Sequence, residues 1–370
     1  MSRWSFVICD TQTGAQLTPA FPASGSWARN LNVGASSSHV IRLGDVVNKT
    51  LGYRSCTVGW QHTLVVQRDY GAGFGVKPWI AYAGVITGRK RDETANTLTV
   101  RHTDIRGLLA RRTTLGENGY GGDIDGGSDP ILNMTLDSIA ARVIRDGLVG
   151  PTSNYALPIV LPAPVAGGIS QTYYDYNFPF VDQILDDLQA WDGGPDTEFV
   201  PRWSDGNTLE WVFRSGYLTG GVFEWVMATE NNGLVDVAHD EDASKQATDV
   251  YAVGKGSGMD MKVKWARLTS SPLPALVRVQ QYKAIDVDAD LQSHANGDLN
   301  SYKTPTNQWE LSIWADGPYQ LSQLVLGSTL KLYYQGDDYE PDGWVVLRLI
   351  GFAGDMTDKV KLIVQGGWPS

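Results

Sequence analysis

Residues 79–100 read WIAYAGVITGRKRDETANTLTV, and residues 344–365 read WVVLRLIGFAGDMTDKVKLIVQ. Each stretch opens on Trp, runs on apolar, turns through Gly and Asp, and returns on alternating residues, the pattern of a β-hairpin. A second pair of phrases precedes them in the same order: VIRLGDVV at 40–47 and LVLGSTLKL at 324–332. Two phrases repeated in order predict two related β-domains, one near each end of the chain. Trp79 and Trp344 are then expected to hold equivalent buried places, each beneath a return strand whose inward residues are Leu98 and Val100, or Leu362 and Val364.

Working outward, the first hundred residues read as strands near 4–9, 38–43, 52–59, 62–68, 79–87 and 96–102, separated by Gly, Asn and Ser. The glycines of YGAGFGVKP at 70–78 lead from strand into strand. A phosphate-binding loop must instead open a helix whose amides face the phosphate. At Thr103 the period changes. TDIRGLLARR places Ile105, Leu108 and Leu109 on one helical face, with Thr103 or Asp104 as cap and Arg106, Arg111 and Arg112 around the rest.

Helices are expected at about 132–148, with a stripe of Leu132, Leu136, Ile139, Val143 and Ile144, and in FPFVDQILDDLQAW, where Val181, Ile184, Leu185, Leu188 and Trp191 face inward. FVPRWSDGNTLEWVFRSG reads as two strands joined at a DGN turn. Paired strands continue through 249–268, a polar helix occupies 286–303, and β-structure returns after Pro305. The expected fold class is α+β and β-dominated: two related β-barrel-like domains at 1–112 and 251–370, with an α+β segment at 113–250 inserted between them.

The 370 residues include 42% hydrophobic and 19% charged residues, the balance of a chain that buries real cores. No apolar run is long enough for a membrane-spanning helix, and MSRWSFVICD reads as a strand rather than a leader. Cys9 and Cys56 make neither a zinc site nor a disulfide framework and are expected to be buried. The net charge of −11 is unevenly placed. Residues 1–112 carry 14 Lys and Arg against 6 Asp and Glu, whereas residues 171–250 carry 3 against 16. Such surpluses of +8 and −13 suit a subunit that docks on copies of itself or on neighbours. Arg89, Lys90, Arg91, Arg111 and Arg112 are expected at subunit contacts or on the exterior.

Chemistry leaves no comparable mark. His39, His62, His102, His239 and His294 are scattered without metal-ligand spacing. Asp123, Asp125 and Asp129 in the Gly/Asp stretch 113–130 lack the ligand spacing of an EF-hand loop, and an ordinary loop is the better reading. No nucleophile elbow or P-loop occurs. The 13 Trp and 16 Tyr leave a sugar-binding surface as a rival, and the many carboxylates leave an acidic glycosidase. However, Trp79, Trp211, Trp225, Trp309 and Trp344 lie in strand patterns that predict core packing. Catalytic, cofactor-binding and metal-ligating residues are therefore expected to be none, and cofactors none.

The series of phrases carries a resemblance. FVICDTQTGAQL precedes SWARNLN and VIRLGD; then come WIAYAGVITG, DIRGLLARR, IAARVIRD, FVDQILDDLQ, DTEFVPRWSDGNTLEWVF, DVYAVGKGSG and LGSTLKL with its closing hairpin. In that order they resemble the siphophage tail-hub or minor tail proteins, those of long non-contractile phage tails, especially from actinobacterial hosts. The resemblance spans almost the whole chain. It implies a non-catalytic virion protein of the tail tip, assembled in the host cytoplasm as a homotrimeric ring. Its implied partners are the hexameric distal tail protein and tail tube, the tape measure protein and tip or fibre proteins, with DNA only as passing cargo. It also implies two tube-forming β-domains, three copies of which would match a hexamer. The chain ends at VQGGWPS, so no spike or hydrolase extension is expected after the second hairpin. A carbohydrate- or receptor-binding tail protein is the alternative.

Overall fold

The computed structural model describes residues 4–71, 77–116, 127–191, 193–230, 232–283 and 285–366. The chain forms two compact units, Met1–Asp236 with Leu311–Ser370, and Val237–Glu310. Strand makes up 43% of the described residues and helix 17%.

The first sheet is built from β1 (Trp4–Asp10), β2 (Gln16–Ala20), β3 (Ser24–Gly25), β5 (Ser36–Arg42), β6 (His62–Arg68), β7 (Trp79–Asp92) and β8 (Thr97–Thr103); β4 (Trp27–Asn30) crosses to a second sheet. Its order is β2-β1-β6-β7-β8-β5-β3. Alternation sets β1, with Trp4, Phe6 and Ile8 all buried. The apolar run Ile80–Ile86 of β7 is buried on both faces. One of those faces is covered by α2 (Ile105–Leu109) and by Leu209 and Trp211. The expected strand at 52–59 is instead the helical turn α1 (Tyr53–Cys56), entered through Gly52 at φ 60° and bounded by Gly59. A left-handed residue turns the chain where a strand would have to run straight.

The insert supplies β9 (Ser128–Met134), α3 (Leu136–Gly147), β10 (Ile159–Val160), β11 (Ile169–Tyr174), α4 (Val181–Gln189), β12 (Asp196–Trp203) and β13 (Leu209–Gly216). Ile139, Val143 and Ile144 of α3 pack against Val181, Ile184, Leu185 and Leu188 of α4. Two stripe residues fall outside. Leu132 belongs to β9 and is exposed, and Trp191 follows α4 and is exposed. The β12–β13 hairpin turns at Asn207, φ 63°, as the DGN triplet predicts.

The second sheet contains β14 (Val222–Val226), β15 (Leu234–Asp242), β19 (Thr306–Trp314), β20 (Thr329–Tyr334), β21 (Gly343–Gly354) and β22 (Lys359–Gln365). Its order is β14-β20-β21-β22-β19-β15, with β4 paired to β21. In the Val237–Glu310 unit, β16 (Asp249–Val253) lies between β17 (Val263–Arg267) and β18 (Val277–Gln281), and the predicted polar helix is α5 (Asp288–Tyr302). Its core joins Val250, Ala252 and Ala266 to Leu291, Ala295 and Leu299.

The repeat holds in topology. Strands β5 to β8 lie in the order β6-β7-β8-β5, and β19 to β22 in the order β20-β21-β22-β19. Both are Greek-key arrangements, three hairpin-linked strands with the first of the four returning beside the last. Each long strand carries a bulge ending on glycine, between Ile86 and Gly88 and between Leu349 and Gly351. The flanks differ, since β1 runs antiparallel to β6 while β14 runs parallel to β20. Neither sheet closes into a barrel among the described residues, so the barrel-like expectation reduces to two open β-sheets.

The word-for-word repeat does not hold. Counted from the shared bulge, Trp79 pairs with Arg68 and corresponds to Gly343, which pairs with Tyr334. Trp344 is therefore one position out of register with Trp79, and in a strand that slip turns the side chain to the other face. Trp79 is half-buried, but Trp344 is 46% exposed, contrary to the core place expected of it. VIRLGD ends β5, whose counterpart is β19, whereas LVLGSTLKL runs into β20, the counterpart of β6.

Candidate functional site

The two sheets meet along a seam of buried charge. At the end of β6, Arg68 is fully buried; its Nη1 donates to Asp358 Oδ1 at 2.5 Å, and Asp316 lies 3.4 Å from Nη2. The guanidinium also stands over the rings of Trp4 and Tyr70, at 4.9 and 5.6 Å. Trp4 Nε1 donates to the Thr357 carbonyl, so the turn of the β21–β22 hairpin rests on the first sheet, and Trp27 Nε1 of β4 donates to the Asp355 carbonyl of the same turn. Further along, Arg29 pairs with Glu198 and lies over Trp79 and Phe352, and Arg348 pairs with Asp196. Arg106 pairs with Asp182 and Asp186. It is buried, not on the solvated arc that its helical position predicts.

These ions are bonded to one another, and Arg29 and Glu198 also line an open groove of about 280 Å³ with Trp79, Arg202 and Arg214. The cavity lined by Arg29, Asp104, Arg106, Glu198 and Trp211 holds about 20 Å³, room for a water molecule and no substrate. Asp104 caps α2, accepting from Ala35 N at 2.8 Å and Gly107 N at 3.1 Å; burial pushes its carboxyl up to about 6. Nearby, His39 Nδ1 and His102 Nε2 share a hydrogen bond of 2.9 Å, and Tyr82 Oη lies 3.1 Å from His102 Nδ1. Burial lowers His39 to about 4; burial and then His39 lower His102 to about 3. Both rings are thus neutral packing elements at neutral pH. Cys9 and Cys56 are buried as expected, and burial raises the Cys9 thiol to about 12, which leaves it unreactive.

The surface offers two features of opposite sign. Around the first hairpin, Leu43, Tyr53 and Leu98 floor a groove of about 520 Å³ walled by Arg54, Arg89 and Arg91. Among the described residues, Arg54, Arg89, Lys90 and Arg91 form no ion pair; Arg89 donates only to the Arg54 carbonyl and Thr57 Oγ1, and Arg91 to Asn96. Arg111 lies over Trp60, and Arg112 is a clamp that donates to the carbonyls of Gly147, Asn154 and Tyr155. After β20, QGDDYEPD at 335–342 carries four acids and no base. Asp337 Oδ1 accepts from Tyr339 N and Glu340 N, Asp342 Oδ1 accepts from Gly336 N, and Tyr339 is 76% exposed.

Sequence reasoning missed the seam, because a lone Arg in a strand gives no sign of its partner. It also passed over the acidic loop, whose run of like charge was legible. Asp123 and Asp125 lie outside the described residues, as do 72–76 of the early glycine loop; Asp129 is buried and near Arg142. Among the described residues no three His, Cys, Asp or Glu gather as metal ligands, and no helix is long and apolar enough to cross a membrane.

No family model matches the sequence, and no curated protein does. The fold is shared with solved phage tail proteins. A 43 kDa tail protein of prophage MuSo2 from Shewanella oneidensis matches with a TM-score of 0.58 at 9% identity, over 98% of each chain. The tail protein from Neisseria meningitidis MC58 matches with a TM-score of 0.52 at 13% identity, over 98% of this chain and 97% of that one. A chain of the Francisella PdpA–VgrG complex matches over 99% of this chain and 59% of its own, with a TM-score of 0.55 at 8% identity.

Proposed function

We propose that this chain is a structural virion protein of a long non-contractile phage tail, forming a trimeric hub at the tail tip around the DNA channel. The observation that carries the reading is the pair of sheets with one Greek-key order in a single polypeptide. Three copies would present six similar sheets, which suits a subunit that joins a hexameric distal tail protein or tail tube to three-fold tip parts. The fold shared with tail proteins supports a place in the tail. In this reading 1–112 and 251–370 contribute the ring and 113–250 lies outside it. The role is mechanical and needs no cofactor, and the tape measure and fibre proteins are its further neighbours. Cryo-electron microscopy of the tail tip tests it by copy number. Three copies around the channel are expected; six copies, or one peripheral copy per fibre, overturn it.

A second reading is receptor or carbohydrate binding, favoured by the exposed run Tyr174, Tyr176 and Phe178, in which the first two rings stack at 5.4 Å. Tight glycan binding by the isolated chain, lost in Tyr176→Ala, would select it.

A further inference from the structure

One contact within the chain is a template for a contact between chains. The turn at Asp355–Asp358 rests on the C-terminal end of β6, where acidic Asp358 meets Arg68. By the shared order and register, the counterpart of that strand end is Tyr334 of β20, followed by the loop 335–342. The counterpart of that turn is the end of the first hairpin, Asp92–Asn96, with Arg89, Lys90 and Arg91 beside it. The charges are arranged differently in the two sets. Within the chain an acidic turn meets a cationic strand end; in the second set the turn keeps the acids Asp92 and Glu93, but the strand leading into it carries Arg89, Lys90 and Arg91 and the strand end is followed by acids.

We propose that the loop 335–342 of one copy docks in the groove of the first hairpin of the next copy. Tyr339 lies on the apolar floor of Leu43, Tyr53 and Leu98, and Asp337, Asp338 and Asp342 face Arg54, Arg89 and Arg91. Three observations support this occupant. The groove cations have no ionic partner among the described residues of their own chain. The loop's charge is opposite and undiluted by any base. Its backbone is already held by Asp337 and Asp342, so docking orders little that is not ordered beforehand. The two surfaces differ, so the contact is heterologous and passes from copy to copy, closing into a ring when the rotation permits. The proposal rests on the hub reading only for that closure.

The test mixes full chains carrying Arg91→Cys with full chains carrying Tyr339→Cys and adds a short bis-maleimide. Because Cys9 and Cys56 are buried, the unsubstituted chain serves as the control. A covalent heterodimer is expected. Its yield falls about tenfold when Arg54 and Arg89 are both Glu, the scale of several exposed ion pairs turned repulsive. Exchanging Asp337 and Asp338 for Lys in the same mixture restores it. No heterodimer above the control, or a yield indifferent to both sets of charges, overturns the contact. In a single chain carrying both Arg91→Cys and Tyr339→Cys, the mass of the crosslinked products separates this result from the hub reading. Crosslinked chains that never close at three leave the contact and break the ring, whereas three-copy rings without this crosslink do the reverse.

Discussion

The β7–β8 and β21–β22 hairpins hold the same place in sheets of the same order, yet their surroundings are opposed. In the second, the turn is folded back on the chain: Asp358 neutralises buried Arg68, Lys359 pairs with Asp236, and β4 covers the bulge. In the first, Arg89, Lys90 and Arg91 stand exposed with no ionic partner among the described residues. Equal topology therefore does not imply equal environment. A hairpin already covered by its own chain contributes to stability, and one left open keeps its charges available to solvent or to a neighbour.

The comparison breaks or sharpens most clearly at the seam. Trp27 is 1% exposed beneath the second hairpin, and Trp27→Ala should cost about 3–5 kcal/mol in urea unfolding, whereas Trp344→Ala should cost less than about 1 kcal/mol. Similar losses at the two sites would mean that Trp344 is covered.

Next in size is the charge at the turn. Replacing Asp316 and Asp358 together by Ala leaves Arg68 buried without a carboxylate and should cost about 3 kcal/mol, while Asp92→Ala in the first turn should stay within about 0.5 kcal/mol. Matched unfolding curves measure both, and a costly Asp92 variant would show that the first turn is also held within the chain.

The bulge glycines give a smaller contrast. A Cβ at Gly351 meets Asn30 Oδ1 and lies 3.1 Å from the Arg29 carbonyl, whereas at Gly88 it meets the movable end of Arg101 at 2.8 Å. Gly351→Ala should cost about 1–3 kcal/mol by overpacking and Gly88→Ala less than about 0.5 kcal/mol, read from the same curves. The reverse order would place the rigid neighbour over the wrong sheet.

The smallest effect is acid sensitivity confined to the first sheet. His39 and His102 titrate lower when folded, so the unfolded chain binds more protons as pH falls through the window from about 6.5 to about 3. Their contribution is complete above that window and is lost below it. Asp104, raised to about 6, acts in the opposite direction, but it is one group against two. Amide exchange corrected for intrinsic rates, followed from about pH 7 to about pH 4, should show β5, β7 and β8 losing protection before β20, β21 and β22. Equal loss in both sheets would remove the histidine pair as the cause.

What the sequence determined by itself was local. Alternation in WSFVICD, the run Ile80–Ile86, the stripe of Val181, Ile184, Leu185 and Leu188, and the DGN turn at Asn207 each follow from the period of one element and its turn chemistry. The recurrence of a hairpin late in the chain was also legible, because both copies keep a long apolar strand and an alternating return. Only the tertiary structure decided register and neighbours. The match of Trp79 to Trp344 failed because Trp79 stands nine residues before the glycine of its bulge and Trp344 seven, and the unpaired Ala81 takes up one of those two places, which no local pattern marks. VIRLGD and LVLGST proved to be different strands because short strand phrases look alike until their partners are known. Nothing in the local pattern singles out Arg68, Arg29 and Arg348, because the carboxylates that pair with them stand 290, 169 and 152 residues away in the chain. Periodicity reports which way a side chain faces. It carries no record of which distant segment comes to meet it.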